Sequence, residues 1–371
     1  MRRTVLVVPD LVGVTGSDSP LRQTLPWMRT MAEGSLLLKV SDSPPIETPE
    51  ALILGFTPGE GQLRQGPLTV SALGADPPEK SAHFHLSWLT AEDGVVQDSG
   101  LAATTEEVRI MLEMAVKLNT KVLTLVPGEG KDHGLVCEAP LDMGTTSAHN
   151  AIGKAIRDVR PDGDGESMLR RYIDDSINLL SGIPFNLERL DQGLPPLNLL
   201  WPWGHGLRFP VPNLALKRGE PAVVESPSMR MQGLARLAGY RHLDRNGFGR
   251  GLQTRLAKIA QRTLTRDLSI IWIPALSEFI ATGAQETEEE RHWFVREMDK
   301  ELMAPLIQDA RLNRNKVFLI APNSGPDFGL ALEFDGNEPK QNSLPFDERA
   351  REESVVRTTT LWESVNRGVS R

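Results

Sequence analysis

The chain has 371 residues, about twice the commonest domain size, so two domains or one core with a large insertion are expected. Its 32 Gly, 27 Pro and 40% hydrophobic residues lie in the ordinary globular range, and the single cysteine, Cys137, excludes an internal disulfide and a cysteine-cluster metal site. A net charge of −8, from 41 basic and 49 acidic side chains, argues against a general nucleic-acid binder, which needs a basic face to displace counterions.

Met1-Arg2-Arg3-Thr4 has the charge of a signal-peptide start, but Pro9-Asp10 interrupts the apolar run that follows. Thr4 to Val8 (TVLVV) therefore reads as a first strand, buried on both faces as in a parallel sheet. No apolar run approaches the ~20 residues of a membrane span, so no membrane partner and a cytoplasmic location are expected. His83 to Leu89 (HFHLSWL) alternates as a strand, with Gly94 to Asp98 as its hairpin partner. A helix follows from Thr105 to Leu118, then strands at Lys121–Val126 and Leu135–Cys137. Arg160 to Glu166 (RPDGDGE) reads as a polar linker before a helix over Met168–Leu180. Further helical patterns run from Met229 to Ala238 and from Gly251 to Leu264.

Leu268 to Ile273 (LSIIWI) and Lys316 to Ala321 (KVFLIA) repeat the character of the first strand. Between them lies a helix with a capping-box start, Thr287 with Glu290, and an apolar stripe of Val295, Met298, Leu302 and Leu306. Strand, helix and parallel strand form a βαβ unit, so the core is α/β. Residues 71–166 are expected to be an inserted α+β domain, and 1–70 with 167–371 the core. The charged C-terminal stretch from Asp347 to Arg371 reads as a docking helix on the core or a contact to another chain, with core docking the expectation; oligomeric state is not legible.

Several segments are more particular than composition explains. Leu54-Gly55-Phe56-Thr57-Pro58, Gly66-Pro67-Leu68 and Ala72-Leu73-Gly74-Ala75 follow one another closely. Later come Ile183-Pro184-Phe185-Asn186-Leu187-Glu188-Arg189, Trp201-Pro202-Trp203-Gly204-His205-Gly206 and Gly233-Leu234-Ala235. In order and spacing this series resembles the archaeal-type, cofactor-independent phosphoglycerate mutases of the alkaline phosphatase superfamily. His149-Asn150-Ala151-Ile152-Gly153 is similar to another family segment, with Asn150 in place of Asp.

The resemblance implies an alkaline-phosphatase-like doubly wound sheet, two divalent metals, often manganese, and an inserted domain over the substrate. It also implies a serine nucleophile at a helix N-terminus, where free N–H groups meet a phosphoryl oxygen. Asp10 stands at the first metal-binding aspartate. The serine position holds Ile46, which cannot attack phosphorus, and the neighbouring aspartate is Glu47. Thr48 is the nearby hydroxyl that could replace the serine, although Thr48-Pro49-Glu50 also reads as an N-cap, N1 and N2 series, and capping is the expectation. Ser277 and Ala281 take the places of an Asp and a His, and only His292 of the seven histidines lies beyond residue 242.

On the substrate side, His85-Leu86-Ser87 occupies the place of a substrate-gripping arginine segment. Arg64 lies one residue from another family arginine, whose place is Gln65. Arg189 and Asn186 are retained, His205 stands where glutamine is usual, and His149 is the best polar candidate at the boundary of the insert. The expectation is a mutase-like protein that has lost metal-dependent phosphoryl transfer and binds a phosphorylated small molecule or a protein partner. No cofactor is then expected. The alternative is an active phosphomutase or phosphohydrolase with a rebuilt Mn or Mg site at Asp10, Glu47 and Thr48.

Overall fold

The computed structural model describes residues 4–9, 25–28, 30, 36–41, 50, 54, 63–99, 105–130, 132–218, 222–242, 254–266, 268–274, 288–325, 328–334, 336 and 356–358. In chain order its strands are β1 (Thr4–Pro9), β2 (Leu36–Ser41), β3 (Ala82–Glu92), β4 (Val95–Gln97), β5 (Leu123–Val126), β6 (Asp132–Cys137), β7 (Met143–Gly144), β8 (Asp162–Gly163), β9 (Leu199–Leu207), β10 (Ala222–Glu225), β11 (Arg241–His242), β12 (Leu268–Ile273), β13 (Lys316–Gly325), β14 (Phe328–Phe334) and β15 (Val356–Thr358). The longer helices are α1 (Gln65–Ala72), α2 (Thr105–Ala115), α3 (Glu166–Ser181), α4 (Pro184–Asp191), α5 (Met229–Leu237), α6 (Leu256–Thr263), α7 (Glu288–Glu297) and α8 (Ala304–Asn313). Two compact units emerge: residues 1–57 with 212–371, and residues 58–211.

The first unit is built on an eight-stranded sheet of order β11-β10-β12-β1-β13-β14-β2-β15. Its centre is parallel: β1 lies between β12 and β13, with Thr4 opposite both Leu268 and Lys316. The continuous apolar run of β12 is buried along its whole length, as a strand covered on both faces requires. β14 is antiparallel to β13 and to β2. The predicted stripe Val295, Met298, Leu302 and Leu306 is buried against Ile259, Ile271 and Ile307. This helix is not one uninterrupted α-helix, because a π-helical segment, Met298–Met303, separates α7 from α8. There Asp299 turns inward and accepts hydrogen bonds from the backbone N–H groups of Trp27 (3.2 Å) and Met28 (2.6 Å). Burial raises its carboxyl above the usual range, and those two amides oppose the shift. The expected cap residue Thr287, and Gly251–Gln253 of the expected 251–264 helix, lie outside the described residues.

The second unit is an antiparallel sheet in which the long strand β3 pairs β6 on one side and β9 on the other, with β4 at its end and β5 outside β6. It is wider than the 71–166 segment expected from the sequence. β9 contributes a whole strand from beyond residue 166, and α1 begins before residue 71. The 160–166 segment is not a loose linker either. Arg160 pairs with Asp174, Arg170 donates to the Pro161 carbonyl at 2.9 Å, and β8 pairs with β7. Leu89, Val96, Ile173 and Trp201 form one apolar cluster of this unit, and Phe84, Leu86, Trp88, Leu135 and Tyr172 form the larger one.

Candidate functional site

Strand β3 is buried on both faces, and the faces differ in chemistry. Phe84, Leu86 and Trp88 enter the apolar core, whereas the alternate residues His83, His85 and Ser87 form a polar row that is equally buried. Every member of that row is held. His85 Nδ1 lies 2.8 Å from Thr69 Oγ1 of α1, its Nε2 lies 3.4 Å from Asp132 Oδ1, and its ring packs on Trp203 at 4.7 Å. Ser87 Oγ accepts from Trp203 Nε1 at 2.9 Å. Ser81 Oγ donates to the Pro78 carbonyl, so it accepts at 2.9 Å from His83 Nε2–H, which leaves His83 Nδ1 as a bare acceptor without a hydrogen-bond partner.

Helix α1 reaches this row because glycines remove the side chains in its way. A Cβ on Gly66 would lie 2.2 Å from the His83 carbonyl oxygen. One on Gly204, whose φ is +67°, would lie 2.7 Å from Gln65 Cβ, and one on Gly206 would lie 2.8 Å from Arg64 Cβ. The Trp-Pro-Trp-Gly-His-Gly segment is therefore a strand whose glycines admit the start of α1, and Arg64, the residue before the helix, is brought to its edge. Trp201 fixes the other flank by donating from Nε1 to the Thr146 carbonyl at 2.8 Å. Thr145 Oγ1 accepts from the His205 backbone N–H at 3.3 Å.

Between these elements lies an open cleft of about 800 Å³, lined by Arg64, the 142–147 loop, Asn150 and residues 203–210. Its charged groups are Arg64, Arg208 and Asp142; Arg208 Nη1 is 2.9 Å from the exposed Asp76 Oδ1. His205 also lines the cleft. Burial lowers the pKa of His205, aided by Arg64 and opposed by a hydrogen bond to the Leu141 backbone and by Asp142. Its Nε2 has no hydrogen-bond partner. Burial, then Arg208, then His205 push His83 down to about 4. Both rings are thus neutral at pH 7, and the positive charge of the cleft comes from its two arginines. Guanidinium groups beside hydroxyls offer the kind of donors that a carboxylate or phosphate accepts from.

Of the residues selected from sequence, Arg64 and His205 come together in this cleft. His85 does not line it, and its ring is held within the unit. His149 is exposed on a short helix beside the cleft-lining Asn150, itself outside the lining. Arg189 is also a framework residue: it is buried, donates from Nε to the Pro195 carbonyl at 2.9 Å, lies 3.7 Å from Glu107 and covers the Phe185 ring. Asn186 beside it donates to the carbonyls of Leu180 and Leu197 and accepts from Leu197 N–H. Asp10, Glu47 and Thr48 lie outside the described residues. Sequence reasoning missed Arg208 and the Thr145-Thr146-Ser147 hydroxyls. Arg208 follows Gly206 by two positions, and that proximity was the available signal.

Against curated proteins, the chain is 27% identical to a 2,3-bisphosphoglycerate-independent phosphoglycerate mutase of Methanosarcina barkeri, over 70% of this chain and 66% of the relative. It is 25% identical to the enzyme of the same name from Methanothrix thermoacetophila, over 75% of this chain and 70% of the relative. The chain is a homologue of the archaeal 2,3-bisphosphoglycerate-independent phosphoglycerate mutases. This mutase homologue spans about two thirds of the length of those relatives, and no family model matches it. In fold it is similar to the cofactor-independent phosphoglycerate mutase of Thermoplasma acidophilum, with a TM-score of 0.60, 19% identity and full coverage of both chains. A Pyrococcus horikoshii protein superposes with a TM-score of 0.67 at 18% identity, over 96% of this chain and 94% of that one.

The metal pair implied for such a homologue calls for clustered histidine and carboxylate donors. Five of the seven histidines fall in residues 58–211, and His83, His85 and His133 there are bound to serine, threonine, aspartate or backbone groups. Among the described residues no three His, Cys, Asp or Glu side chains converge as a metal site. Among the described residues, no helix is long and apolar enough to cross a membrane.

Proposed function

We propose that this mutase homologue binds a small phosphorylated carboxylate, of the phosphoglycerate kind, in the cleft of its second unit and has lost metal-dependent phosphoryl transfer. The observation that carries the binding reading is that Arg64 and Arg208 line one cleft with the 145–147 hydroxyls. Guanidinium groups match carboxylate and phosphate oxygens through charge-assisted hydrogen bonds. The loss of chemistry is supported by Ile46 at the nucleophile position of the resemblance, and by the commitment of most histidines to the second unit.

Calorimetric titration with 3-phosphoglycerate tests the reading. Saturable binding is expected, weakened about tenfold or more by Arg64→Ala and by Arg208→Ala, since one charge-assisted contact is worth about 1.5–3 kcal/mol. Absence of binding overturns it. With manganese added, no inorganic phosphate should be released and 2-phosphoglycerate should not form. Manganese-dependent turnover that disappears in Asp10→Ala and Thr48→Ala would replace this proposal with a rebuilt catalytic site.

A further inference from the structure

The first unit contains a buried acid that no reading of the cleft uses. Glu225 is the last residue of β10 and is wholly buried. Among the described residues, neither carboxyl oxygen has a hydrogen-bond partner. Its nearest cation is Arg262 on α6, whose Nε is 3.8 Å from Oε1, beyond hydrogen-bond reach. The sheet register puts Ser269 opposite Val223 and Ile271 opposite Glu225, so these four side chains share one face. Ser269 Oγ is also buried without a partner, as is Arg266 Nε in the turn after α6. Several orphan polar atoms thus lie on the two sheet strands nearest the segment 256–266, whose Leu256, Ile259 and Ala260 cluster with Ile271 and Ile273 of β12. A buried ion without hydrogen bonds is strongly disfavoured, whereas a protonated carboxyl is tolerated.

We propose that Glu225 is a proton-operated latch for the segment 256–266: protonated, it lies closed beneath α6, and ionised, it favours opening of that segment to water. Arg230, on the helix α5 that packs on β10, pairs with Glu50 at 3.3 Å. Arg262 and Arg266 approach from α6 and the turn, Ser269 belongs to β12, and Arg241 on β11 shares the face by its pairing with Val223 but is exposed. Asp299, on the π-helical segment packed against α6, is bound by the amides of Trp27 and Met28. Burial raises the Glu225 carboxyl to about 7, and Arg262 and Arg266 pull it back only in part.

The sign follows from proton linkage. A carboxyl raised in the closed form favours closure fully below the ordinary glutamate range, and that advantage disappears as pH rises through about 7. The opening equilibrium of 256–266 should therefore increase on the order of a hundredfold between pH 5 and pH 8.

Amide hydrogen exchange of the peptide covering 256–266 in the full chain, corrected for intrinsic rates, reads this directly. Glu225→Gln keeps the volume of the protonated acid and should give strong protection that no longer varies with pH. A wild-type segment whose protection is independent of pH overturns the latch, and so does a Glu225→Gln variant that keeps the wild-type profile. The carboxyl titration of Glu225 by carbon NMR in the unmutated chain decides independently of how the variant folds: a midpoint near 7 supports the latch, and one near 4.5 refutes it.

Discussion

Replacing Asn186 by alanine separates framework from site in the segment that most resembles the mutases. Asn186 is wholly buried, and its amide makes three bonds to backbone: Nδ2 to the carbonyls of Leu180 (2.8 Å) and Leu197 (3.1 Å), and Leu197 N–H to Oδ1 (2.8 Å). Alanine leaves two carbonyls and one N–H without this partner at Leu180 and Leu197, both buried. The Leu180 carbonyl keeps the N–H groups of Gly182 and Ile183, so the two Leu197 groups are left unsatisfied, and at about 1–3 kcal/mol each the loss is about 2–6 kcal/mol. For a unit of about 150 residues this corresponds to a fall in Tm of roughly 5 °C or more. Asn186→Asp is a sharper companion. It keeps the acceptor for Leu197 N–H but turns a carboxylate oxygen toward two carbonyls, so it should be at least as damaging at pH 7 and recover in acid. Differential scanning calorimetry measures both. Below the melting transition, 3-phosphoglycerate affinity of either variant should stay within about twofold of the parent, because Asn186 does not line the cleft. A Tm within about 3 °C of the parent would refute the argument, as would a large affinity loss in a folded variant.

Other outcomes follow from the same geometry. His83, held at about 4 against an ordinary 6.5, binds fewer protons folded than unfolded, so its contribution is full above pH 6.5 and is lost as pH falls toward 4. Urea unfolding at pH 7 and 4.5 should differ by about 2 kcal/mol from this residue, with a smaller difference in His83→Gln. Gly66→Ala should prevent stable folding of residues 58–211, because the new Cβ meets the His83 backbone at 2.2 Å; Gly153→Ala, at φ +80° in open space, should lower stability by only about 1 kcal/mol on thermal melting. Cys137 is buried and burial raises its thiol pKa, so thiol reagents should modify it only at the rate of unfolding. Rapid modification in native buffer would contradict that.

The strands and helices with strong periodicity were legible in the sequence. β12, β13, α3 and α5 lie where their apolar patterns place them, with ends shifted by a few residues. The domain limits were not, for a specific reason. β9 contains Pro202, Gly204 and Gly206, residues that punctuate strands, yet here the glycines serve close approach to α1. Without β9 the second unit ends too early. The π-helical segment was equally hidden, since one stripe of apolar residues fits a continuous helix until Asp299 is known to cap the segment at Trp27 and Met28. The retained motifs were a mixed guide to the cleft: Trp203 to Gly206 line it. Asn186 and Arg189 serve the framework, while Arg208, outside every motif, lines the cleft.

The pairing of β3 with β9 has a consequence for synthesis. Ala82 pairs with Leu207 and Leu89 with Leu199, so one side of the central strand waits for residues more than a hundred positions later. The hairpins β3–β4 and β5–β6 close locally and can form early, but the β9 side of β3 keeps bare N–H and C=O groups until the chain has grown past Leu207. During that interval the nascent chain carries an adhesive strand edge rich in Phe84, Leu86 and Trp88. Fragments that begin at residue 58 and end before residue 199 should therefore aggregate, and the fragment 58–211 should not.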